Sequence, residues 1–238
     1  VKLREILHMP EEDGPGRIEG FVLEGGERLT ADAYVAAVPA WALSRLMPAS
    51  LREMAFFANI AALPVAPAIS VQIWFDRPVV DTIDFTLVGR SLTPVYQDVG
   101  KTVYPNPRGS RLSVIVSPAD DLLAHTDQQL VRLVLKSLND VEPRVMHAGV
   151  VKSVVLRHKE HLIRPLPGAM GARPGQATPV PNLFLAGDWT QQPYFGSQEG
   201  AVRGGKAAAR EIVRALSPGL RITWAADGGP VPSHRDAP

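Results

Sequence analysis

Residues 182–216 read NLFLAGDWTQQPYFGSQEGAVRGGKAAAREIVRAL, and their interpretation decides the fold. The run 182–187 is apolar and closed by glycine, the pattern of a short buried strand. Asp188 follows at once, where the strand would leave its sheet. Residues 189–196 form a loop of polar and aromatic side chains, and a helix is predicted over 197–216. Gly200, Gly204 and Gly205 fall in the first half of that helix, and each interior glycine costs roughly 1 kcal/mol relative to alanine. Lost helix stability of about 3 kcal/mol predicts that the backbone approaches something closely, either a ligand or a packed neighbour. Strand, acid, loop and glycine-rich helix start are the order of half a nucleotide-cofactor site.

Composition narrows the classes. The chain has 238 residues, enough for one large domain or two modest ones. A net charge of +1, from 24 acidic and 25 basic residues without a basic block, argues against nucleic acid as a partner. Zero cysteines exclude disulfides, thiolate metal sites and cysteine nucleophiles, and fit a reducing compartment. The chain opens at Val1, without a methionine and inside a strand pattern, which predicts a fragment. Residues 55–75 carry no charge and approach the length of a membrane span. Pro64 and Pro67 interrupt them, however, and from Ala68 the run alternates, with Ile69, Val71, Ile73 and Phe75 against Ser70, Gln72 and Trp74; that is a strand.

In chain order, a strand over 2–9 and a polar turn over 10–16 precede a hairpin, 17–24 and 27–32, turned by Gly25-Gly26. Residues 33–38 are apolar without alternation, as in a parallel strand buried on both faces. Pro39 opens a short helix carrying Trp41, Leu43, Leu46 and Met47, and a weak helix covers 49–63. Strands are predicted over 68–75, 85–87, 92–96, 111–117 and 149–156. Between the last two, Thr126 and Gln129 form a capping box ahead of a helix with Leu130, Val131, Val134, Leu135 and Leu138 on its apolar face. Residues 164–181 are an irregular proline-rich connection, and 217–238 have the composition of a disordered tail. The ends look α/β; the middle looks like an antiparallel sheet with helices.

Other candidate chemistries are weaker. GAVRGGKA over 200–207 nearly matches a phosphate-binding loop, but Ala207 stands where a Mg²⁺-binding hydroxyl is needed, and the strand ends well upstream. No dinucleotide fingerprint occurs in the chain. His158 and His161 in HKEH do not match the zinc protease pattern and read as two exposed histidines. Asp188 sits where open α/β sheets bind ligands, beyond the carboxyl ends of their strands. Its carboxylate suits sugar or ribityl hydroxyls. The start of the following helix offers unpaired N–H groups and a positive dipole end. A capped helix packed through its glycines on a sheet accounts for the same residues.

The motifs carry a resemblance. NLFLAGDWT followed by SQEGAV and GGKAA is similar to the carboxyl-terminal flavin motif of the FAD-dependent amine oxidase and carotenoid desaturase superfamily. Within it, DWTQQPY at 188–194 and SQEGAV at 197–202 resemble the plant and cyanobacterial phytoene desaturase family. ADAYV at 31–35, Val38-Pro39, LMP at 46–48 and ISVQIWFDR at 69–77 continue it. So do Ser91-Leu92, Val95-Tyr96, YPN at 104–106 and Arg173-Pro174; the resemblance covers about residues 1–216.

The resemblance implies an α/β fold: part of a FAD-binding Rossmann-like, glutathione-reductase-type domain (1–48 and 161–216) with an inserted antiparallel-sheet-plus-helix substrate domain (49–160). It implies removal of hydrogen from a lipid-soluble polyene, hydride transfer to FAD, reoxidation by a quinone, and peripheral attachment of a cytoplasmic protein to a membrane surface. By position Asp188 and Gln198 carry over as FAD contacts, with Gly187; Glu199, Gly200, Ala201 and Val202 do so through backbone groups, and Gly196 as a substrate-lining position. No catalytic side chain and no metal ligand carries over. Gln198 stands for the family's methionine and Trp189 for its tyrosine, tendencies of zeta-carotene and squalene-associated desaturases. The family's amino-terminal G-x-G-x-x-G and substrate-side arginine are expected upstream of Val1, so the chain is expected to be inactive alone. A non-catalytic remnant or interaction module is the reading of another class.

Overall fold

The computed structural model describes residues 2–81, 85–89, 91–103, 109–217, 223–224 and 230–231. The YPN motif at 104–106 lies outside them. The chain divides into two units, Val1–Pro64 with Ile163–Pro238, and Val65–Leu162. Residues 49–64, placed with the inserted region on sequence, group with the first unit.

In the first unit, β1 (Leu3–Glu11), β2 (Gly14–Leu23) and β3 (Arg28–Leu29) form an antiparallel sheet. The polar turn predicted over 10–16 is therefore shorter, since Glu11 already pairs with Gly14. Ile18 and Val22 alternate inward with the period of a half-buried strand. β4 (Tyr34–Ala36) runs parallel to β10 (Leu183–Leu185). All of β10 is buried, as expected, but Val35 at the middle of β4 is exposed. β4 thus alternates instead of being buried on both faces, because β10 is its one strand neighbour among the described residues.

Pro39 caps α1 (Ala40–Leu46). The helix predicted over 49–63 is two, α2 (Ala49–Arg52) and α3 (Ala55–Ala61), because Met54 is extended, with ψ at 131°. Leu43, Leu51, Phe57 and Ile60 on these helices are buried.

Asn182 precedes β10 and reaches back across the unit. Its Nδ2 donates to the Ile18 carbonyl at 2.8 Å, and its Oδ1 accepts from the Ile18 N–H at 2.9 Å. The side-chain amide therefore acts as one more peptide group on the inner edge of β2. Asn182→Ala leaves a buried donor and acceptor unpaired, and a loss of roughly 3 kcal/mol is expected in denaturant titration. A variant as stable as the parent would show the pair to be dispensable.

The second unit is a five-stranded sheet in the order β6–β7–β8–β5–β9. These are β5 (Val65–Phe75), β6 (Thr86–Leu87), β7 (Val95–Asp98), β8 (Arg111–Val116) and β9 (Val150–Ile163), with the short α4 (Val99–Thr102) after β7. The uncharged stretch 55–75 is thus α3 plus β5, and no helix among the described residues is long and apolar enough to cross a membrane. β9 runs beyond its predicted end and carries both His158 and His161, whose rings lie 5.7 Å apart. No cluster of three metal-ligating side chains occurs among the described residues.

α5 (Asp127–Asn139) starts with the predicted capping box, Thr126 and Gln129 each bonding the other's backbone N–H. Its Leu130, Val134 and Leu138 join Ile69, Val71, Ile73, Leu112 and Val114 in one core. Tyr96 is buried there and donates to Glu142 at 2.7 Å. Burial first, then the hydrogen bond and charge of Glu142, push its pKa from 10.0 up to about 12. The folded state holds the neutral phenol, so this stability is present below the ordinary value and lost as pH rises through the raised one. Tyr96→Phe is expected to flatten the fall in denaturation midpoint over that alkaline window; an unchanged slope would assign it to other groups.

α6 (Gln198–Leu216) closes the first unit, with Ser197 as its N-cap. The tail predicted over 217–238 lies mostly outside the described residues; within it β11 (Thr223–Trp224) pairs with β12 (Pro230–Val231).

Candidate functional site

The site grows from the end of β10. Gly187 has φ +134°, a conformation that side-chain-bearing residues rarely adopt, and a Cβ there would stand 2.6 Å from the Trp189 indole nitrogen. Trp189 is buried and donates to the Val38 carbonyl at 3.1 Å, which ties the loop to the end of the β4 segment. Thr190, wholly buried, donates to the Gly187 carbonyl at 2.8 Å and closes a tight turn around Asp188. Asp188 is half-buried at the apex of this turn.

The loop then folds onto α6. Gln192 donates to the carbonyls of Asp188 at 2.8 Å and Tyr194 at 3.0 Å. Gly196, with φ +62°, reverses the chain, and Ser197 Oγ accepts from Gly200 N–H at 3.0 Å while donating to the Tyr194 carbonyl at 2.8 Å. A Cβ at Gly200 would lie 1.9 Å from the Tyr194 carbonyl oxygen; one at Gly204 would lie 2.6 Å from that of Gly187. The close neighbour expected from the sequence is therefore the protein's own loop at these two positions. Gly205 differs, because nothing lies within 4 Å of a Cβ there.

The structure thus brings Gly187, Gly200 and Gly204 together through loop-to-helix contacts. Gln198, Glu199, Ala201 and Val202 lie on the exposed side of the first turns of α6. The Glu199 side chain pairs with Arg203 at 2.6 Å along the helix. Ser197 occupies the N–H of Gly200, and Ala201 N–H bonds the Ser197 carbonyl, so the backbone donors left to acceptors outside the helix are those of Gln198 and Glu199. Gly196 sits at the turn just before them.

This donor set fits one edge of a flavin nucleotide. A half-buried carboxylate at a strand end can accept from hydroxyls, and a helix start with two N–H groups open to outside acceptors and a positive dipole end suits an electron-rich group. Sequence reasoning missed Gln176 altogether and, although the Arg173-Pro174 motif stood out, missed what Arg173 holds in place. Gln176 bonds Thr190 Oγ1 at 3.0 Å and the Gln191 carbonyl at 2.9 Å, and Arg173 bonds the loop from the same side. Both lie in the irregular proline-rich run, where no periodicity reveals a partner.

The fold and site define a class. The chain belongs to the flavin containing amine oxidoreductase family, whose model matches residues 1–213. It is 32% identical over 222 residues to the 15-cis-phytoene desaturase of Solanum lycopersicum, an alignment covering 90% of this chain and 38% of that protein. To the 15-cis-phytoene desaturase of Synechococcus elongatus it is 33% identical over 204 residues, covering 83% of this chain and 43% of that protein. The chain therefore spans about two fifths of the length of these relatives. In fold it is similar to a crystal structure of an oxidoreductase from Methanosarcina mazei, with a TM-score of 0.65 at 17% identity, over 88% of this chain and 48% of that one. Cyclohexylamine oxidase from Brevibacterium oxydans is a further neighbour, with a TM-score of 0.57 at 18% identity, over 92% of this chain and 49% of that one.

Proposed function

We propose that this chain is the carboxyl-terminal portion of a FAD-dependent desaturase that removes hydrogen from a lipid-soluble polyene of the phytoene type. The observation that carries the reading is the stitched unit of β10, Asp188 and the exposed start of α6, in a chain of the flavin containing amine oxidoreductase family. When bound, FAD accepts the hydride equivalent taken from the substrate. Asp188 would accept hydrogen bonds from ribityl hydroxyls, and the N–H groups of Gln198 and Glu199 would meet the ring edge that gains electron density. Ala201, Val202 and the backbone at Gly200 would border that edge, and Gly196 the substrate. The pyrophosphate would be held by a glycine fingerprint outside these 238 residues.

The unit Val65–Leu162 would serve the substrate. On the sheet face turned away from α5, paired positions form rows. Leu87, Val95 and Ile115 make one apolar run that continues to Ser70, and Trp74, with Arg111 stacked 4.6 Å from its ring centre, lies on the same face. An apolar row suits a long hydrocarbon. A quinone as electron acceptor, a membrane surface as the place where lipid is collected, and a cytoplasmic, peripherally attached protein belong to the same reading. A zeta-carotene-type substrate is the second reading, favoured by Gln198 and Trp189 and by 30% identity to a Synechococcus elongatus protein described as a probable zeta-carotene desaturase.

The test is the flavin absorbance of the purified full-length protein, then turnover of phytoene and zeta-carotene in liposomes with a quinone. Absence of flavin in a protein with an intact upstream fingerprint sinks the reading in favour of a non-catalytic module.

A further inference from the structure

Arg173 lies in the proline-rich connection before β10, is only 8% exposed, and points its guanidinium under the loop that carries Asp188. Nη1 donates to the carbonyls of Asp188 at 3.4 Å and Thr190 at 2.9 Å, and Nη2 to that of Gln192 at 3.0 Å. Nε donates to the Met170 carbonyl at 3.3 Å, and the ring of Phe195 lies 5.4 Å from the guanidinium carbon. One planar fork therefore gathers alternate carbonyls along 188–192. Beside it, Pro174 accepts from the Gln191 N–H at 2.8 Å, so the opposite edge of the same loop is held as well.

These hydrogen-bonded partners are neutral carbonyls. A buried cation held by dipoles alone is costly unless negative charge arrives nearby. Burial lowers the pKa of Arg173, and the Asp188 carboxylate opposes that shift. The cation thus lies close in charge to the acid at the loop apex, under the segment that leads to the positive start of α6. A lysine would keep the charge but not the fork, since its ammonium is a compact point charge.

We propose that Arg173 is a positioning residue of the cofactor site, fixing the carbonyls of Asp188, Thr190 and Gln192 so that Asp188 and the start of α6 meet the flavin, and adding positive potential there. The proposal rests on the FAD reading above. Its effect on the flavin is electrostatic as well as geometric, because positive charge near the ring favours the electron-rich reduced form.

The experiment compares full-length wild type, Arg173→Lys and Arg173→Gln, measuring FAD dissociation constant, flavin midpoint potential and the thermal midpoint of the apoprotein. Both variants should bind FAD about tenfold more weakly, as expected for losing charge-assisted hydrogen bonds that order a site. Arg173→Lys should keep the wild-type potential, whereas Arg173→Gln should shift it to lower values. Wild-type affinity and potential in Arg173→Gln would overturn the proposal while leaving the FAD reading standing. Equal losses of apoprotein stability and FAD affinity in both variants, at unchanged potential, would reduce Arg173 to a structural role and overturn it too. If Arg173→Gln does not fold, Arg173→Lys decides: weakened FAD binding at wild-type apoprotein stability supports the proposal, and wild-type affinity overturns it. A wild type that binds no FAD overturns the parent reading and this inference with it.

Discussion

Gly200→Ala is expected to lower the thermal midpoint of the 238-residue chain sharply, while Gly205→Ala, five residues on in the same helix, raises it. At Gly200 the new methyl would stand 1.9 Å from the Tyr194 carbonyl oxygen and 2.6 Å from Gln192 Nε2. The nearer contact is backbone, pinned by Ser197 and Gln192, so the loop or the helix must move as a body. Overpacking of this kind costs about 3 kcal/mol or more, outweighing the roughly 1 kcal/mol that alanine adds to helix propensity. The midpoint should fall by about 6 °C or more for a chain of this size. At Gly205 nothing lies within 4 Å, so only the propensity gain remains, worth about 2–4 °C. Equal behaviour of the two variants in calorimetry would refute the loop-on-helix arrangement.

The second large effect is on cofactor retention. Asp188→Ala in the full-length protein should weaken FAD binding by about 10- to 100-fold, the range for losing hydrogen bonds to a charged group. Flavin absorbance after gel filtration reads it directly. The Asp188 backbone is held through its carbonyl by Gln192 and Arg173, so the turn stays in place, while loss of the carboxylate beside the buried Arg173 cation lowers the apoprotein midpoint modestly. Undiminished flavin occupancy would remove Asp188 from the site.

The elements around this site were legible because their signals are local. β10 announces itself by a continuous apolar run closed by glycine, and α5 by Thr126 and Gln129. What holds them was not legible. Asn182 bonds a peptide group 164 residues away, and Arg173 bonds carbonyls across an irregular loop, so neither leaves a period or a cap to read. The glycines show the same boundary from another side. Three losses of helix propensity within six residues look alike in sequence, yet Gly200 and Gly204 answer to a backbone neighbour and Gly205 to none within 4 Å. The break at Met54 is a tertiary choice too, since Leu51 and Phe57 on either side are both buried.

The amide of Asn182 also sets an order of events during synthesis. β2 leaves the ribosome well before Asn182, and the buried peptide group of Ile18 has no partner until Asn182 has been made. Closing a loop of that span is entropically costly, and translation supplies only about 5–20 residues per second. The β1–β2 hairpin must therefore wait for many seconds with the Ile18 peptide group unpaired. When Asn182 arrives, the same event that seals the hairpin seats β10 and brings Asp188 to its turn. Completion of the β2 edge and the seating of Asp188 are then one step.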